Sequence, residues 1–269
     1  LLQQNDYHFV IVWNSFTALM FAGVLKRHYY QRYCINIRDY CLEKMKPVYW
    51  RMKSVVKNSR FTTISSKGFL SFLPPYDYLW VHSLNESLLK DCIPRTSLQE
   101  EGRPIRLSFI GNIRFFEQDK RLIDQLGNDD RYLVQYFGQN ADIIEDYAKQ
   151  KNYHNVITHG RFEPEQTKEF LEQTDILNNL YGVGEIALDT AISIRTYYSA
   201  YLNMPILVYR GTVMEQITGQ YGMGFAVEEA YENLADRLFA WYTQLDFEKL
   251  KEGCKRFYED AKRDNEVFY

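Results

Sequence analysis

The sequence has 269 residues, of which 46% are hydrophobic, 25% charged and 16% aromatic, and its formal net charge is −3. This length and composition indicate a globular protein with a sizeable core, in one large domain or two ordinary ones. No segment approaches the roughly 18 consecutive apolar residues that a membrane-spanning helix needs. The four cysteines show no CxxC spacing and no histidine at metal-ligand spacing, which favours a reduced, cytosolic protein.

We expect no signal peptide, because residues 1–5 lack a basic start. The chain does not begin with Met, so we expect the true N-terminus to lie upstream. Positive charge is concentrated in residues 26–60, where ten Lys or Arg stand against two acids. Such asymmetry predicts either a face for an anionic surface or ligand, or a simple solvated helix face.

The first half of the chain alternates between strands and helices. Short β-branched and aromatic runs predict four strands, at 8–13, 33–39, 61–65 and 78–83. Helical spacing predicts helices at 17–29 and 47–59, with Pro47 suited to the first turn, and a short helix at 67–73 stopped by Pro74. A polar stretch with several Pro, Glu and Gly residues follows between 85 and 104.

The second half begins a fresh series of the same kind. We predict six strands, at 105–111, 132–138, 155–160, 175–180, 205–211 and 224–227. The predicted helices are 118–126, 141–151, 163–173, 189–203 and 213–220, with two more at about 230–243 and 246–264. Strands that alternate with helices of this length indicate right-handed βαβ units and parallel sheets.

Loops that follow strands are the expected ligand positions in such a fold, because ligands bind at the carboxyl ends of parallel strands. Gly111 ends the first strand of the second half, and Arg114 and Lys120 follow it with charges suited to a diphosphate. Gly160 ends the third strand, and Arg161 and Phe162 come next. These loops suit a phosphate and a nucleobase, although a plain helix start explains the second equally well.

The connection after the fourth of these strands is unusually long, and long loops in compact domains tend to be functional. It carries Tyr181, Glu185 and Thr190, and the helix after it carries Ser193 and Arg195. Arg195 would either face an anion or pair with Glu185 or Asp189.

The series "NVITHGRFEPEQTKEFLEQTDIL", a polar loop, a helix, "NMPILVYRGTVMEQI" and "GMGFAV" resembles the C-terminal half of GT-B glycosyltransferases. It is most similar to the bacterial group that makes capsules, exopolysaccharides or glycoprotein glycans. The resemblance covers roughly 105–228 well and 6–94 less specifically, through "FTTISSKGFLSFLP" and "WVHSLNESLL".

The resemblance implies an α/β protein with two Rossmann-like domains facing a cleft, the first of them incomplete. The implied boundaries are an acceptor-side domain at 1–94, a linker at 95–104, a nucleotide-sugar domain at 105–243, and a helix at 244–269 that crosses back. The implied donor-site residues are Gly111, Asn112, Arg114, Lys120, Gly160, Arg161, Phe162, Tyr181, Glu185, Thr190, Ser193, Arg195 and Tyr198.

Two departures from the family pattern bear on activity. Retaining members often carry two Glu separated by seven residues, and those positions hold Thr190 and Tyr198 here, so the stereochemistry cannot be inferred. The Arg that often follows the first Gly is Asn112. The usual general base of inverting members would lie upstream of Leu1, so no catalytic residue is assigned.

The expected activity is transfer from a UDP- or GDP-sugar to a glycan or lipid-linked acceptor. No Asp-x-Asp motif is present, so we expect no metal and no cofactor beyond the nucleotide sugar. Residues 26–60 would contact an anionic membrane, at its cytoplasmic face. The alternatives are a non-catalytic GT-B-like subunit and a Rossmann-type nucleotide-sugar epimerase or dehydrogenase, which lacks the support of a GxGxxG motif. A nucleic-acid partner is not expected, because the basic run lies in one half of an acidic protein.

Overall fold

The computed structural model describes residues 5, 7–98 and 102–267. Its strands are β1 Val10–Trp13, β2 Tyr33–Ile37, β3 Phe61–Ile64, β4 Leu79–Trp80, β5 Ile105–Ile110, β6 Tyr132–Phe137, β7 Val156–His159, β8 Ile176–Asn178, β9 Ile206–Tyr209 and β10 Gly224–Val227. Its helices are α1 Ser15–Met20, α2 Ala22–His28, α3 Lys46–Asn58, α4 Glu86–Leu89, α5 Phe116–Leu126, α6 Ala141–Lys151, α7 Thr167–Glu172, α8 Ile186–Thr190, α9 Ile194–Leu202, α10 Val213–Gln220, α11 Leu234–Thr243 and α12 Phe247–Glu266, with short 3-10 helices at Lys67–Ser71 and Pro164–Gln166.

The chain divides into two compact units. The first comprises the described residues up to Ser83, together with Glu185–Ile192 and the described residues from Asp260 onwards. The second comprises the described residues of Leu84–Gly184 and Ser193–Glu259. The expected α/β architecture with two Rossmann-like parallel sheets is confirmed.

The first unit is built on a four-stranded parallel sheet in the order β1-β2-β3-β4. Its core combines the inward side chains of these strands with the buried faces of α1, α2 and α3, such as Ala18, Leu25, Ile35 and Met52. The run predicted as one helix at 17–29 is two helices, because Phe21 leaves helical geometry with φ −95° and ψ 11°. The predicted strand at 78–83 shortens to the two residues of β4.

The second unit is built on a six-stranded parallel sheet in the order β10-β9-β8-β5-β6-β7. This is the order of a dinucleotide-binding sheet, in which the chain starts in the middle, moves to one edge and then crosses to the other. Its four central strands, β9, β8, β5 and β6, are buried on both faces, and residues such as Leu107, Val134, Ile176 and Leu207 are fully inaccessible to solvent. Continuous apolar strands of this kind are typical of parallel sheets covered by helices on both sides.

The predicted helix at 189–203 is wrong as a continuous element. The structure has α8 and α9, separated by the extended residues Ala191 and Ser193. Ser193 is the N-cap of α9, where its side chain accepts a hydrogen bond from the backbone N–H of Arg195 at 3.2 Å. The long loop after β8 therefore contains a helix of its own.

Candidate functional site

The second unit has a topological switch point between β5 and β8. From β5 the chain proceeds through β6 to β7 on one side, and from β8 through β9 to β10 on the other. Connections that diverge in this way open a crevice at the carboxyl ends of the two strands, where ligands bind. Those ends are Ile110–Gly111 and Asn178–Asn179, and both are places where the sequence changes from apolar to polar or glycine residues.

Two glycines shape the floor of this crevice. Gly111 has φ +131°, and its N–H donates to the carbonyl of Phe137 at 2.8 Å. Gly138 follows β6 with φ +145°, and a Cβ there would lie 1.8 Å from the carbonyl oxygen of Gly111. Only glycine lets the two backbones approach this closely in these conformations.

Arg195 reaches the same point from the first turn of α9. Its Nε donates to the carbonyl oxygen of Ile110 at 2.9 Å, and Nη2 donates to the same oxygen. A Cβ at Gly111 would lie 2.9 Å from Nη2, so the glycine makes room for the guanidinium. The charged group also lies 4.0 Å from the ring centroid of Phe109, a favourable cation–π contact.

The remaining partners of Arg195 are uncharged. Nη1 donates to the hydroxyl of Tyr181, and to Oδ1 of Asn179 at 3.5 Å. The Tyr181 hydroxyl lies 3.3 Å from the Ser193 hydroxyl. Arg195 is only 4% exposed, and burial lowers its pKa to about 10, so it stays protonated at neutral pH. A buried positive charge therefore lies at the base of the crevice.

Helix α5 adds backbone donors at the same edge. It begins at Phe116, five residues after Gly111, and its N-cap is Phe115, which has no side-chain acceptor for the N–H groups of the first turn. Helix N-termini without a side-chain cap present these N–H groups, and the positive end of the helix dipole, to an anion. Exposed Arg114 precedes this helix and acts electrostatically on Arg195.

Asp119 lies one turn further along α5 and faces the interior. It is 1% exposed, and neither carboxylate oxygen has a hydrogen-bond partner among the described residues. Burial raises its pKa to about 7, while the neighbouring Tyr136 hydroxyl and the charge of Arg195 act in the opposite direction. The carboxyl and the Tyr136 hydroxyl lie side by side without reaching hydrogen-bond geometry.

Several predicted donor-site residues are brought together here. Gly111, Arg114, Tyr181, Ser193 and Arg195 all lie around the ends of β5 and β8. Tyr198, one turn along α9 from Arg195, is buried, and this burial raises its pKa. Exposed Asn112 accepts a hydrogen bond from Asn140 of the neighbouring loop at 3.3 Å.

Other predicted residues lie apart from this group. Lys120 pairs with Glu117 at 3.1 Å and lies over the ring of Tyr147 in α6. Gly160, Arg161 and Phe162 follow β7 at the edge of the sheet, with β6 between them and β5, and Phe162 packs edge-on against Phe170. Glu185 and Thr190 belong to the first unit, where Ser66 donates to the carbonyl of Thr190.

Sequence reasoning missed three residues of this group, namely Asn179, Phe109 and Asp119. Asn179 carried a usable signal, because it follows β8 directly at the switch point. Phe109 and Asp119 carried none, because Phe109 reads as an ordinary core position and Asp119 as part of a charged helix face.

A cavity of about 530 Å³ also lies in the second unit, but it is lined by other residues. Arg95 and Arg103 line it, and both pair with Asp175 just before β8, at 3.1 and 2.6 Å. Arg106 is a third partner of this carboxylate, at 3.1 Å. Burial alone would raise the pKa of Asp175, but the hydrogen bonds from Arg103 and Arg106 hold it at about 2. The ion pairs of Asp175 with Arg95 and Arg103 therefore hold the segment before β5 against the amino-terminal ends of the strands.

No known protein family matches the sequence, and no curated protein matches it. Solved structures do share its fold. The match to Anabaena HepE, solved in complex with UDP, covers 99% of this chain and 79% of HepE, with 8% identity and a TM-score of 0.72. The match to WaaG, a glycosyltransferase involved in lipopolysaccharide biosynthesis, covers 92% of this chain and 79% of WaaG, with 12% identity and a TM-score of 0.62.

The same fold also occurs in a putative UDP-N-acetylglucosamine 2-epimerase from Listeria monocytogenes. That match has 11% identity and a TM-score of 0.56, and covers 99% of this chain and 74% of the other. Together with the two parallel sheets, these likenesses define the chain as a protein of the GT-B fold. No described helix is long and apolar enough to cross a membrane.

Proposed function

We propose that this protein is a glycosyltransferase that binds a UDP- or GDP-sugar at the carboxyl ends of β5 and β8. The observation that carries this proposal is the buried Arg195 guanidinium set against Gly111 at the switch point of a dinucleotide-binding sheet. Such sheets bind nucleotides at this position, and the UDP complex of HepE has the same fold.

The donor diphosphate would lie against the Gly111 loop and the start of α5. Arg114 would meet it directly, since it is exposed there, and the buried charge of Arg195 would act on it from below the loop. In the reaction, the bond between the anomeric carbon and the diphosphate breaks, and an acceptor hydroxyl forms the new glycosidic bond as it loses its proton. The nucleoside diphosphate and a proton are released beside the glycoside. Positive charge and helix N–H groups stabilise the departing diphosphate, so the proposed reaction uses no metal.

The proposed acceptor is a glycan or a lipid-linked sugar of surface polysaccharide synthesis, handled at the cytoplasmic face of a membrane. The first unit offers a surface for this contact. Phe16, Met20 and Trp50 on α1 and α3 are each about 60% exposed, and Lys53 lies over the Trp50 ring at 5.0 Å. Exposed aromatic side chains among Lys and Arg residues favour the interface of an anionic bilayer.

Not all of the basic residues in 26–60 are free for this role. Arg51 donates to the carbonyl of Leu19 at 2.8 Å, and Lys26 donates to the hydroxyl of Ser54 at 3.0 Å. The proposed membrane contact therefore depends on the aromatic residues as well as on charge. It predicts co-sedimentation with vesicles that contain phosphatidylglycerol, weakened in Trp50→Ala and by high salt.

A non-catalytic GT-B-like subunit is the second candidate. It is favoured by Thr190 and Tyr198, which occupy the positions where retaining relatives often carry glutamates. Thr190 donates its hydroxyl to the carbonyl of Ile186 at 2.5 Å, and Tyr198 is 8% exposed. Neither side chain carries a negative charge at neutral pH.

A turnover assay tests the proposal. The protein is incubated with UDP- and GDP-hexoses, with and without membrane extract as acceptor source, and both nucleotide and sugar products are analysed. Release of UDP or GDP, unchanged by EDTA and reduced in Arg114→Gln, supports the proposal, with exposed Arg256→Gln on α12 as the matched control. Binding without release favours the non-catalytic subunit, and conversion to an isomeric nucleotide sugar would contradict glycosyl transfer.

A further inference from the structure

The hydrogen-bond acceptors of the Arg195 guanidinium are all neutral. They are a backbone carbonyl, an amide oxygen and a phenol. A cation that is 4% exposed normally has a negative partner, because burying an unpaired charge is costly. A counter-charge for Arg195 should therefore lie nearby, even though no carboxylate touches it.

Asp119 meets this requirement from the interior side of α5. Its carboxylate and the Arg195 guanidinium interact electrostatically, and both are buried. Its two oxygens have no hydrogen-bond partner among the described residues, and the groups that favour its ionised form are the neighbouring Tyr136 hydroxyl and the charge of Arg195. A fully paired carboxylate would be fixed in its ionised form, whereas the carboxylate of Asp119 makes no hydrogen bond to the Arg195 guanidinium.

The groups around Asp119 come from α5, β6, β9 and α9, and from the segments before α5 and α11. Tyr136 of β6 lies beside it, the hydroxyls of Tyr209 and Tyr231 hydrogen-bond each other, and Tyr231 donates to the carbonyl of Gln118 at 3.4 Å. The titratable and charged groups that act on Asp119 or on its neighbours are Tyr136, Tyr198, Tyr209, Tyr231, Arg114, Arg121, Arg195 and Glu229. Asp119 is the buried acid of this set, since Glu229 is exposed.

We infer that Asp119 is a buried counter-charge to Arg195 that competes with the bound diphosphate, and that its loss of charge strengthens anion binding at the Gly111 loop. This inference rests on the proposed function. The ionised carboxylate offsets the positive potential of Arg195, and a neutral Asp119 leaves that potential to the ligand. Because coupling between sites is reciprocal, a bound diphosphate in turn favours the protonated carboxyl.

Asp119 thus acts as a positioning residue for charge and touches no substrate. Its burial and its raised pKa place the change of state near neutrality. Anion affinity should therefore fall as the pH rises through this range. A pH-dependent difference between the protein and a variant without this charge is the specific sign of the mechanism, since a merely structural role would change affinity equally at every pH.

The test is calorimetric titration of the full chain with UDP and, separately, with inorganic pyrophosphate. The variants are Asp119→Asn and, as a control from the other end of the same helix, exposed Asp124→Asn. We expect equal affinity of Asp119→Asn and the unmodified protein near pH 5.5, and about tenfold tighter binding by the variant near pH 8.5. Protonation of the ligand itself cancels in this comparison, and Asp124→Asn should follow the unmodified protein.

The outcomes separate the inference from the function on which it rests. If UDP binds with the same pH profile in Asp119→Asn as in the unmodified protein, the inference is wrong and the donor site stands. If pyrophosphate shows the Asp119-dependent profile and UDP does not bind, the inference stands and the proposed function fails. If neither ligand binds at any pH, both are contradicted.

Discussion

Removing the charge of Asp119 should also change the stability of the protein in a pH-dependent way. Burial raises the pKa of this carboxyl from its ordinary value of 3.8 to about 7. The native state therefore holds a proton that the unfolded state releases between about pH 4 and pH 7, and the free energy of unfolding falls as the pH rises through this window. Above about pH 7 the native carboxyl is ionised as well, and the loss is complete.

The magnitude follows from the difference between about 7 and 3.8. At about 1.36 kcal/mol per pKa unit, ionised Asp119 costs roughly 4 kcal/mol of stability at pH 8 relative to its neutral form. An asparagine avoids the charge but leaves its own amide unsatisfied, which costs about 1–3 kcal/mol at every pH. The free energy of unfolding of Asp119→Asn should therefore be equal to or lower than that of the unmodified protein near pH 4.5, and about 1–3 kcal/mol higher near pH 8.

Urea unfolding followed by circular dichroism at a series of pH values measures this difference. Glu117→Gln is the control, because its carboxylate lies on the exposed side of the same helix. If the curves of Asp119→Asn and the unmodified protein run parallel between pH 4.5 and pH 8, Asp119 is not a buried, unpaired acid and the reasoning fails.

Three further predictions concern the supports of the two units. Gly138→Ala should destabilise the second unit by several kcal/mol and weaken nucleotide binding, because φ is +145° at this position and the new Cβ would collide with the Gly111 carbonyl. Thermal unfolding measures this loss of stability, with Gly160→Ala as the control, since a Cβ at Gly160 meets nothing within 4 Å. Asp175→Asn should lower the free energy of unfolding by about 3–5 kcal/mol at pH 7, because three arginines lose their common partner. This loss should become smaller as the pH falls from about 4 towards 2, and a loss that is the same at every pH would contradict the ion cluster. Burial lowers the pKa of His82, which hydrogen-bonds Asp264 at 3.0 Å. The free energy of unfolding should therefore fall as the pH drops below about 6.5, and it should fall less in His82→Gln. Acid unfolding curves of the two proteins measure this difference.

Much of the fold was predictable because hydrophobic periodicity reports burial directly. The predicted helices at 141–151 and 213–220 and the strand at 224–227 match the structure residue for residue. These elements have clear ends, such as Asn152 in a left-handed conformation after α6 and Thr212 as the N-cap of α10. The number of strands in each sheet also followed from the alternation.

The breaks within helical runs were not predictable in the same way. Phe21 suits a helix by its spacing, and only the packing of α1 and α2 through separate buried faces shows why the run bends there. Ser193 is a good N-cap by composition, but the apolar spacing on both sides concealed it.

The candidate site was predictable where it depends on chain position and hidden where it depends on packing. Gly111, Tyr181 and Arg195 follow from the rule that ligands bind at carboxyl strand ends. The inward turn of Arg195 onto the Ile110 carbonyl, and the buried position of the Asp119 carboxyl, arise from tertiary contacts between elements that are distant in sequence. No local pattern in "EQDKRL" distinguishes its buried acid from its exposed one.

We expect a nucleoside diphosphate to bind at the Gly111–Arg195 site. Thermal unfolding with UDP, GDP, ADP and CMP, each near millimolar, tests this binding most directly. A ligand bound at about 10 µM should add about 2.7 kcal/mol at 1 mM, which raises the midpoint by roughly 5–10 °C. We expect such a rise with UDP or GDP, reduced in Arg114→Gln and unchanged in Arg256→Gln. Binding at this site would be contradicted if none of the four nucleotides raised the midpoint, or if the rise were as large in Arg114→Gln as in the unmodified protein.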